Sequence, residues 1–417
     1  MPRSPQPSIW SAARLPAEPI RVDRFVTGNR IALLRSGREY FPALERAIDS
    51  ASSEVWLESY IFADDPTGRR IGEALSRAAQ RGVKVRVLVD GWGVKFYLTV
   101  ALERALRKGG VELLKYRPEV SAWQFRSHRL RRLHRKLCHV DHRIAFVGGI
   151  NVIDDMNTPS HKPPRVDFAV SVEGPLVPAI AQTMQRVWAL VQLVQFGTSQ
   201  LPLFPERRKA SRVGSQTARF IIRDNLRHRR DIEQAYLAAI RAAKKEILIA
   251  NSYFFPGITF RRELVEAVGR GVAVTLLLQA KVEYVLLHFA SRAMYGQLLQ
   301  AGVVIQEYHR SMLHAKVAVI DDRWATVGSS NIDPYSLLMA REANVVVRDR
   351  GFAAELRQEL RTMIDAGSQR VIHQDWQSRS RLYKAAIWVA YGIVRVAMGF
   401  LGYGSEEWFP KRARRSP

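Results

Sequence analysis

The stretch HAKVAVIDDRWATVGSSN, residues 314–331, has a counterpart in HRKLCHVDHRIAFVGGIN, residues 134–151. Each reads His-x-Lys-x-x-x-x-Asp, then a short turn, an apolar run and a Gly-containing turn that ends in Asn. The two histidines stand 180 positions apart, so the chain carries an internal duplication. Val317, Val319 and Ile320 in one copy, and Leu137, Cys138 and Val140 in the other, are mostly β-formers, so each copy is predicted to begin on a strand. Side chains at i and i+2 share a strand face, which places His314 with Lys316 and His134 with Lys136. Asp321 and Asp141 come seven positions after their histidines, an odd offset, and are expected to face away or to brace the turn. The runs Ala325–Val327 and Ile144–Val147 then lead back to Gly328-Ser329-Ser330-Asn331 and Gly148-Gly149-Ile150-Asn151. Small residues there let backbone amides and the Asn side chain approach an anion.

One His-x-Lys is an ordinary half-exposed strand. Two full copies with matching tails are expected to work together at one point, and the residue types suit phosphoryl transfer. Neutral imidazole can attack phosphorus, protonated imidazole can deliver a proton to a leaving alcohol, and lysines stabilise non-bridging oxygens. The candidate catalytic set is His134, Lys136, Asp141, His314, Lys316 and Asp321. Asn151, Asn331, Gly149 and Ser329 support the phosphate.

The paired HRKLCHVD and HAKVAVID motifs resemble those of the phospholipase D superfamily. GNRIALLRSGREYFPAL, RGVKVRVLVDGWG, VGGINVIDD, FAVSVEGPLV, ANSYFFPG and REANVVVRD extend the resemblance from about residue 29 to about residue 365. The wider pattern is similar to that of the bacterial cardiolipin synthases, in the short form without N-terminal membrane spans. The resemblance implies an α/β fold: two duplicated phospholipase D-like α-β-α sandwich halves sharing an active site at their pseudo-two-fold interface. It implies His134 as nucleophile and His314 as acid/base, with no cofactor and no metal. An acid after each motif, Asp167 and Glu342, would accept a hydrogen bond from the nearby imidazole; the plainer reading of both is a strand-end acid in solvent. The implied reaction joins two phosphatidylglycerols into cardiolipin and glycerol, on an anionic phospholipid membrane. The implied location is peripheral, on the cytoplasmic side of the bacterial inner membrane. Sister branches hydrolyse lipids or cut nucleic acid, and a non-catalytic membrane scaffold would keep the same fold. Intact motifs in both copies speak against the scaffold.

With 417 residues, 47% of them hydrophobic, the chain can bury one large or two medium cores. The single cysteine, Cys138, excludes an internal disulfide and reads as packing. Lysine and arginine number 64 against 39 acids, an excess of 25 that asks for an anionic partner, membrane or nucleic acid. Nucleic acid is not expected, because a nuclease has no use for the apolar stretch near the C-terminus. No HExxH, zinc-ligand spacing, Walker loop or GxSxG occurs.

Residues 1–28 read as a disordered arm, 29–197 as the first repeat, 198–217 as a linker, 218–368 as the second repeat and 369–417 as a membrane-associating tail. Strands are expected at 31–34, 54–62 and 83–89, with helices at 40–52, up to Gln80, at 176–194 and at 352–366. This helix–strand rhythm suggests mostly parallel sheets with helices on both faces. Glu58-Ser59-Tyr60-Ile61-Phe62 matches Asn251-Ser252-Tyr253-Phe254-Phe255, and Arg81-Gly82-Val83 matches Arg270-Gly271-Val272. The first copy carries an insert, Glu119 to Leu133, in which Trp123 and Phe125 interleave with Arg126, Arg129, Arg131 and Arg132. Its composition suits a solvated loop, a lipid-headgroup rim or a nucleic-acid contact. Ala385 to Tyr403 is apolar apart from Arg395, with basic residues on both sides. Lying in the membrane interface is the expectation; packing as a terminal helix and spanning the bilayer are the alternatives.

Overall fold

The computed structural model describes residues 24–118, 132–202, 210–224, 228–281, 285–333 and 340–400. In the first repeat the strands Glu54–Ser59, Lys84–Asp90 and Glu112–Tyr116 are separated by the helices Pro66–Gln80 and Val100–Lys108. Those crossovers make the three strands parallel. Lys136–Val140, Ile144–Gly148, Phe168–Glu173 and Val26–Arg35 continue the sheet, all antiparallel. The second repeat copies this plan. Glu246–Asn251, Ala273–Gln279 and Val304–Tyr308 are parallel, and Lys316–Ile320, Trp324–Gly328, Ala340–Arg348 and Gln216–Arg223 follow antiparallel. The sheets are therefore mixed, not mostly parallel. The turns at 141–143 and 321–323 close hairpins and are far too short for a crossover.

Val26–Arg35 also pairs with Gln216–Arg223, with a register slip between Val26 and Asn29, so one sixteen-stranded sheet runs through both repeats. This pairing corrects two expected boundaries. Residues 26–28 belong to a strand, not to the arm, and 216–217 belong to a strand, not to the linker. A neighbouring strand edge from the other repeat holds both segments, and Asn29 fixes the bend by donating to Val26 O at 2.8 Å and accepting from Leu176 N at 2.9 Å. Of the expected arm, insert, linker and tail, residues 1–23, 119–131, 203–209 and 401–417 lie outside the described residues.

Alternation along the strands sorts the core into layers. Leu137, Ala145 and Val147 face Val317, Val319, Val327 and Val345 of the other repeat, together with the helices Val177–Phe196 and Arg350–Gly367. Cys138, Val140 and Phe146 face outward onto the helices Ser36–Asp49 and Pro66–Gln80. Ala318 and Ile320 do the same onto Asp231–Ala242 and Ile258–Gly269. Helix Val177–Phe196 carries one charge, Arg186, and buries Ile180, Met184, Val187 and Trp188 in the shared layer. Gly82 and Gly271 close matching helices at φ +88° and +85°, a left-handed conformation that explains why both repeats use glycine there. The inner layer belongs to both repeats, so the fold brings their motif strands together. The expected tail begins inside a short strand, Ser368–Arg370, which pairs with Val304–Tyr308.

Candidate active site

Each motif histidine arrives on a two-residue strand laid against the opposite repeat. Arg132–Leu133 pairs with Ala340 and Arg341, and Met312–Leu313 pairs with Arg165 and Val166. The backbone N–H of His134 then donates to Arg341 O at 3.0 Å, and that of His314 to Val166 O at 2.8 Å. The next residue after each borrowed strand pair is an acid, Glu342 after Arg341 and Asp167 after Val166. As a result His134 Nδ1 lies 2.9 Å from Glu342 Oε1, and His314 Nδ1 lies 2.6 Å from Asp167 Oδ2. The acids are exchanged: each one holds the histidine of the other repeat.

Both carboxylates are buried, while the imidazole side chains keep 18% and 13% of their surface. A buried carboxylate needs donors, so Nδ1 carries the hydrogen and Nε2 is left with its lone pair. Glu342 takes a second bond from the Ser329 hydroxyl, and Asp167 Oδ1 accepts from Phe168 N at 2.8 Å. Gly149 occupies the Ser329 position in the first repeat. A Cβ there would stand 2.3 Å from Asp167 Oδ1, so this close approach requires glycine.

Lys136 and Lys316 are buried, and each donates from Nζ to the carbonyl of its own histidine, Lys136 at 2.6 Å. Lys316 Nζ also lies 3.8 Å from Asp167 Oδ2. Burial pushes Lys136 down to about 7 and Lys316 down to about 8. Burial also lowers His314 well below the usual imidazole range, with Lys316 and Arg165 adding to the effect. His134 is lowered by burial as well, against the pull of Glu342, and burial raises Asp167 to about 6. Burial disfavours the charged form of both lysines, and an anionic ligand beside them would favour it.

Asn151 Oδ1 accepts from Ile61 N at 3.1 Å, and Asn331 Oδ1 from the Ser252 hydroxyl at 3.0 Å. These bonds fix the carbonyl end of each side chain. Asp141 and Asp321 sit elsewhere, in left-handed turns (φ +52° and +50°) at the far ends of the motif strands. Asp141 accepts the backbone N–H groups of Ser52, Ser53 and Glu54, which hold its carboxyl well below the usual range. Asp321 accepts the backbone N–H groups of Lys244, Lys245 and Glu246. Both are braces, and strand geometry puts roughly 20 Å between each and its histidine, so their place in the catalytic set is corrected.

Two clamps went unread in the sequence. Asp90 Oδ2 accepts from Leu133 N, and Gln279 Oε1 from Leu313 N, both at 2.7 Å, which fixes the residue before each histidine. The available signal was a polar residue ending each repeated buried strand, LVD and LLQ. Tyr60 was missed too: its ring centroid lies 4.9 Å from that of His134.

A family model described as "Cardiolipin synthase, PLD-like domain" matches residues 44–161 and 236–364, one segment around each motif histidine. Cardiolipin synthase B of Salmonella typhi is 40% identical over 347 residues, covering 81% of each protein. The chain belongs to the phospholipase D-like cardiolipin synthase family. Cardiolipin synthase B of Escherichia coli is 38% identical over 354 residues, covering 82% of each. Outside the sequence-similar cardiolipin synthases, a phosphatidylserine synthase from Haemophilus influenzae shares the fold, with TM-score 0.64, 12% identity, and coverage of 89% of this chain and 94% of that one.

Proposed function

We propose that the protein transfers a phosphatidyl group from one phosphatidylglycerol to the hydroxyl of another, giving cardiolipin and glycerol. The exchanged pairs His134–Glu342 and His314–Asp167 carry this reading, because they aim two Nε2 atoms outward from one seam. His314 takes a solvent proton on Nε2 as the anionic phosphodiester binds beside it; His134 Nε2 then forms a bond to phosphorus as the bond to the terminal glycerol breaks, and His314 passes that proton to the departing oxygen. Neutral His314 next removes the proton from the second phosphatidylglycerol's hydroxyl, whose oxygen displaces His134 and restores the free enzyme. Lys136, Lys316 and the amides of Asn151 and Asn331 hold the non-bridging oxygens throughout. The order of the histidines follows the family resemblance. Purified protein on phosphatidylglycerol vesicles should release glycerol and cardiolipin in equal amounts. Phosphatidic acid without cardiolipin would make it a hydrolase, and cleavage of labelled DNA with the lipid untouched would make it a nuclease.

We also infer a peripheral position on the cytoplasmic face of a bacterial inner membrane. Among the described residues no helix is long and apolar enough to cross a membrane. Helix Arg381–Phe400 buries Ile387 and Ala390 against helix Val285–Arg292 and its surroundings, and leaves Leu382, Val389, Ile393 and Val396 exposed on another stripe. Arg379, Arg381 and Lys384 flank that stripe. Helix Val285–Arg292 follows the strand that ends in Gln279; the loop after the matching strand exposes Trp92 and Phe96, with Lys95 Nζ 5.5 and 5.4 Å from their rings. Apolar groups of both repeats therefore gather at the sheet ends that hold the histidines. Each large side chain contributes about 1.5–3 kcal/mol when fully buried, and each cation about 1 kcal/mol near anionic lipid. The triple variant Leu382→Ser, Val389→Ser, Ile393→Ser should bind phosphatidylglycerol vesicles at least about tenfold more weakly, with an unchanged melting temperature. Undiminished co-flotation would remove this helix from the docking face.

A further inference from the structure

We propose that Glu54, His139 and His142 form a binding site for one divalent transition-metal ion, zinc being the probe, away from the reacting histidines. The antiparallel register sets Trp56 opposite His139 and Val55 opposite Val140, so Glu54 comes beside the turn that follows the motif strand. His142 stands in that turn at φ +52°, and its Nε2 reaches Glu54 Oε1 at 2.6 Å. The ligand atoms of all three residues lie within 4.8 Å of one another. Donors on a tetrahedral zinc ion are about 3.3 Å apart, so modest side-chain rotation closes the set.

The surroundings hold these donors in place. The Trp56 indole N–H donates to Glu54 Oε2 at 3.0 Å, which leaves Oε1 as the oxygen presented to an ion. The same indole stacks on the His139 ring at 5.9 Å between centroids and 18° between planes. His139 is buried, whereas Glu54 and His142 keep 17% and 14% of their side-chain surface, so an ion can enter from solvent and retain a water ligand. Two imidazole nitrogens and one carboxylate oxygen suit zinc and its first-row neighbours; magnesium and calcium ask for oxygen throughout.

The second repeat supplies an internal comparison. Glu246, Val319 and Asp322 occupy the matching positions, and Glu246 there pairs with Arg357 and Arg361. The fold therefore needs no histidine at either position, and the pair in the first repeat calls for a separate reason. Strand rise puts His139 roughly 16 Å from His134. An ion here would tie the strand Glu54–Ser59 to the motif strand and take no part in transfer.

The test is zinc titration of the full chain by calorimetry, with cobalt(II) visible spectra as a second readout. A His134→Asn, His314→Asn background removes the other paired imidazoles. One equivalent should bind and raise the melting temperature. His142→Asn and Glu54→Gln should each weaken binding at least about tenfold, since loss of a ligand should exceed the loss of an outer-shell partner, and should abolish the cobalt bands. His142→Asn in the otherwise native chain should leave transfer unchanged. Equal zinc affinity in the background and in its His142→Asn derivative, or no binding in either, would overturn the site.

Discussion

Replacing His134 with asparagine should lower cardiolipin formation by at least about 10⁴-fold, since it removes the imidazole assigned to carry the covalent phosphatidyl intermediate. Replacing His314 with asparagine removes the proton donor and should cost about 10²–10⁴-fold. Asparagine is chosen because its side-chain N–H can still serve the buried acid, Glu342 or Asp167, that the imidazole served. Alanine would strand those carboxylates and mix lost folding with lost chemistry. Rapid acid-free quenching and peptide mass spectrometry should find the phosphatidyl group on the peptide containing residue 134. A group found instead on residue 314 would reverse the two roles and leave the shared site standing. Normal turnover in either variant would end the two-histidine mechanism. Both variants should melt within a few degrees of the parent, which separates a chemical defect from unfolding.

Much of this site was legible in the chain because its elements are local. The strand that places Lys136 beside His134, and the odd offset that turns each aspartate away from its histidine, follow from residues within eight positions of one another, and the duplication shows because the same motif recurs 180 positions on. The exchange of acids was not legible. Asp167 and Glu342 each match the motif of their own repeat, and only pairing of Met312–Leu313 with Arg165–Val166, and of Arg132–Leu133 with Ala340–Arg341, sends them across the seam. The mixed sheet was half-legible: helices between strands announced the parallel part, while the short turn at Asp141 announced a hairpin that the overall rhythm concealed. Glu54 with His139 and His142 escaped notice for the same reason as Asp90 and Gln279. Each acts on a strand its own sequence neighbourhood does not contain.

The exchange itself has a kinetic signature. A phosphatidyl ester of p-nitrophenol has a leaving group that needs no proton, so its first step should be indifferent to the acid-donating histidine and sensitive to the nucleophile. With this substrate, His314→Asn should form nitrophenol at close to the parental burst rate while cardiolipin formation stays about 10²–10⁴-fold down, and His134→Asn should show no burst. Asp167→Asn keeps the size of the side chain and its bond from Phe168 N, yet it withdraws the carboxylate from His314 Nδ1. Glu342→Gln does the same to His134. Loss of a buried carboxylate partner lets the imidazole take the wrong tautomer and leaves its cation unsupported, a cost of about 10²–10⁴-fold on the step that histidine performs. Asp167→Asn should therefore behave like His314→Asn, with its burst preserved, and Glu342→Gln like His134→Asn, with its burst lost. Swapping the histidine roles exchanges both pairs together and keeps the partners intact. If instead Asp167→Asn sorted with His134→Asn, each acid would be acting within its own repeat. A half-chain would then hold a complete histidine–acid pair, and the reason for building the enzyme from two fused copies would have to lie in substrate binding alone.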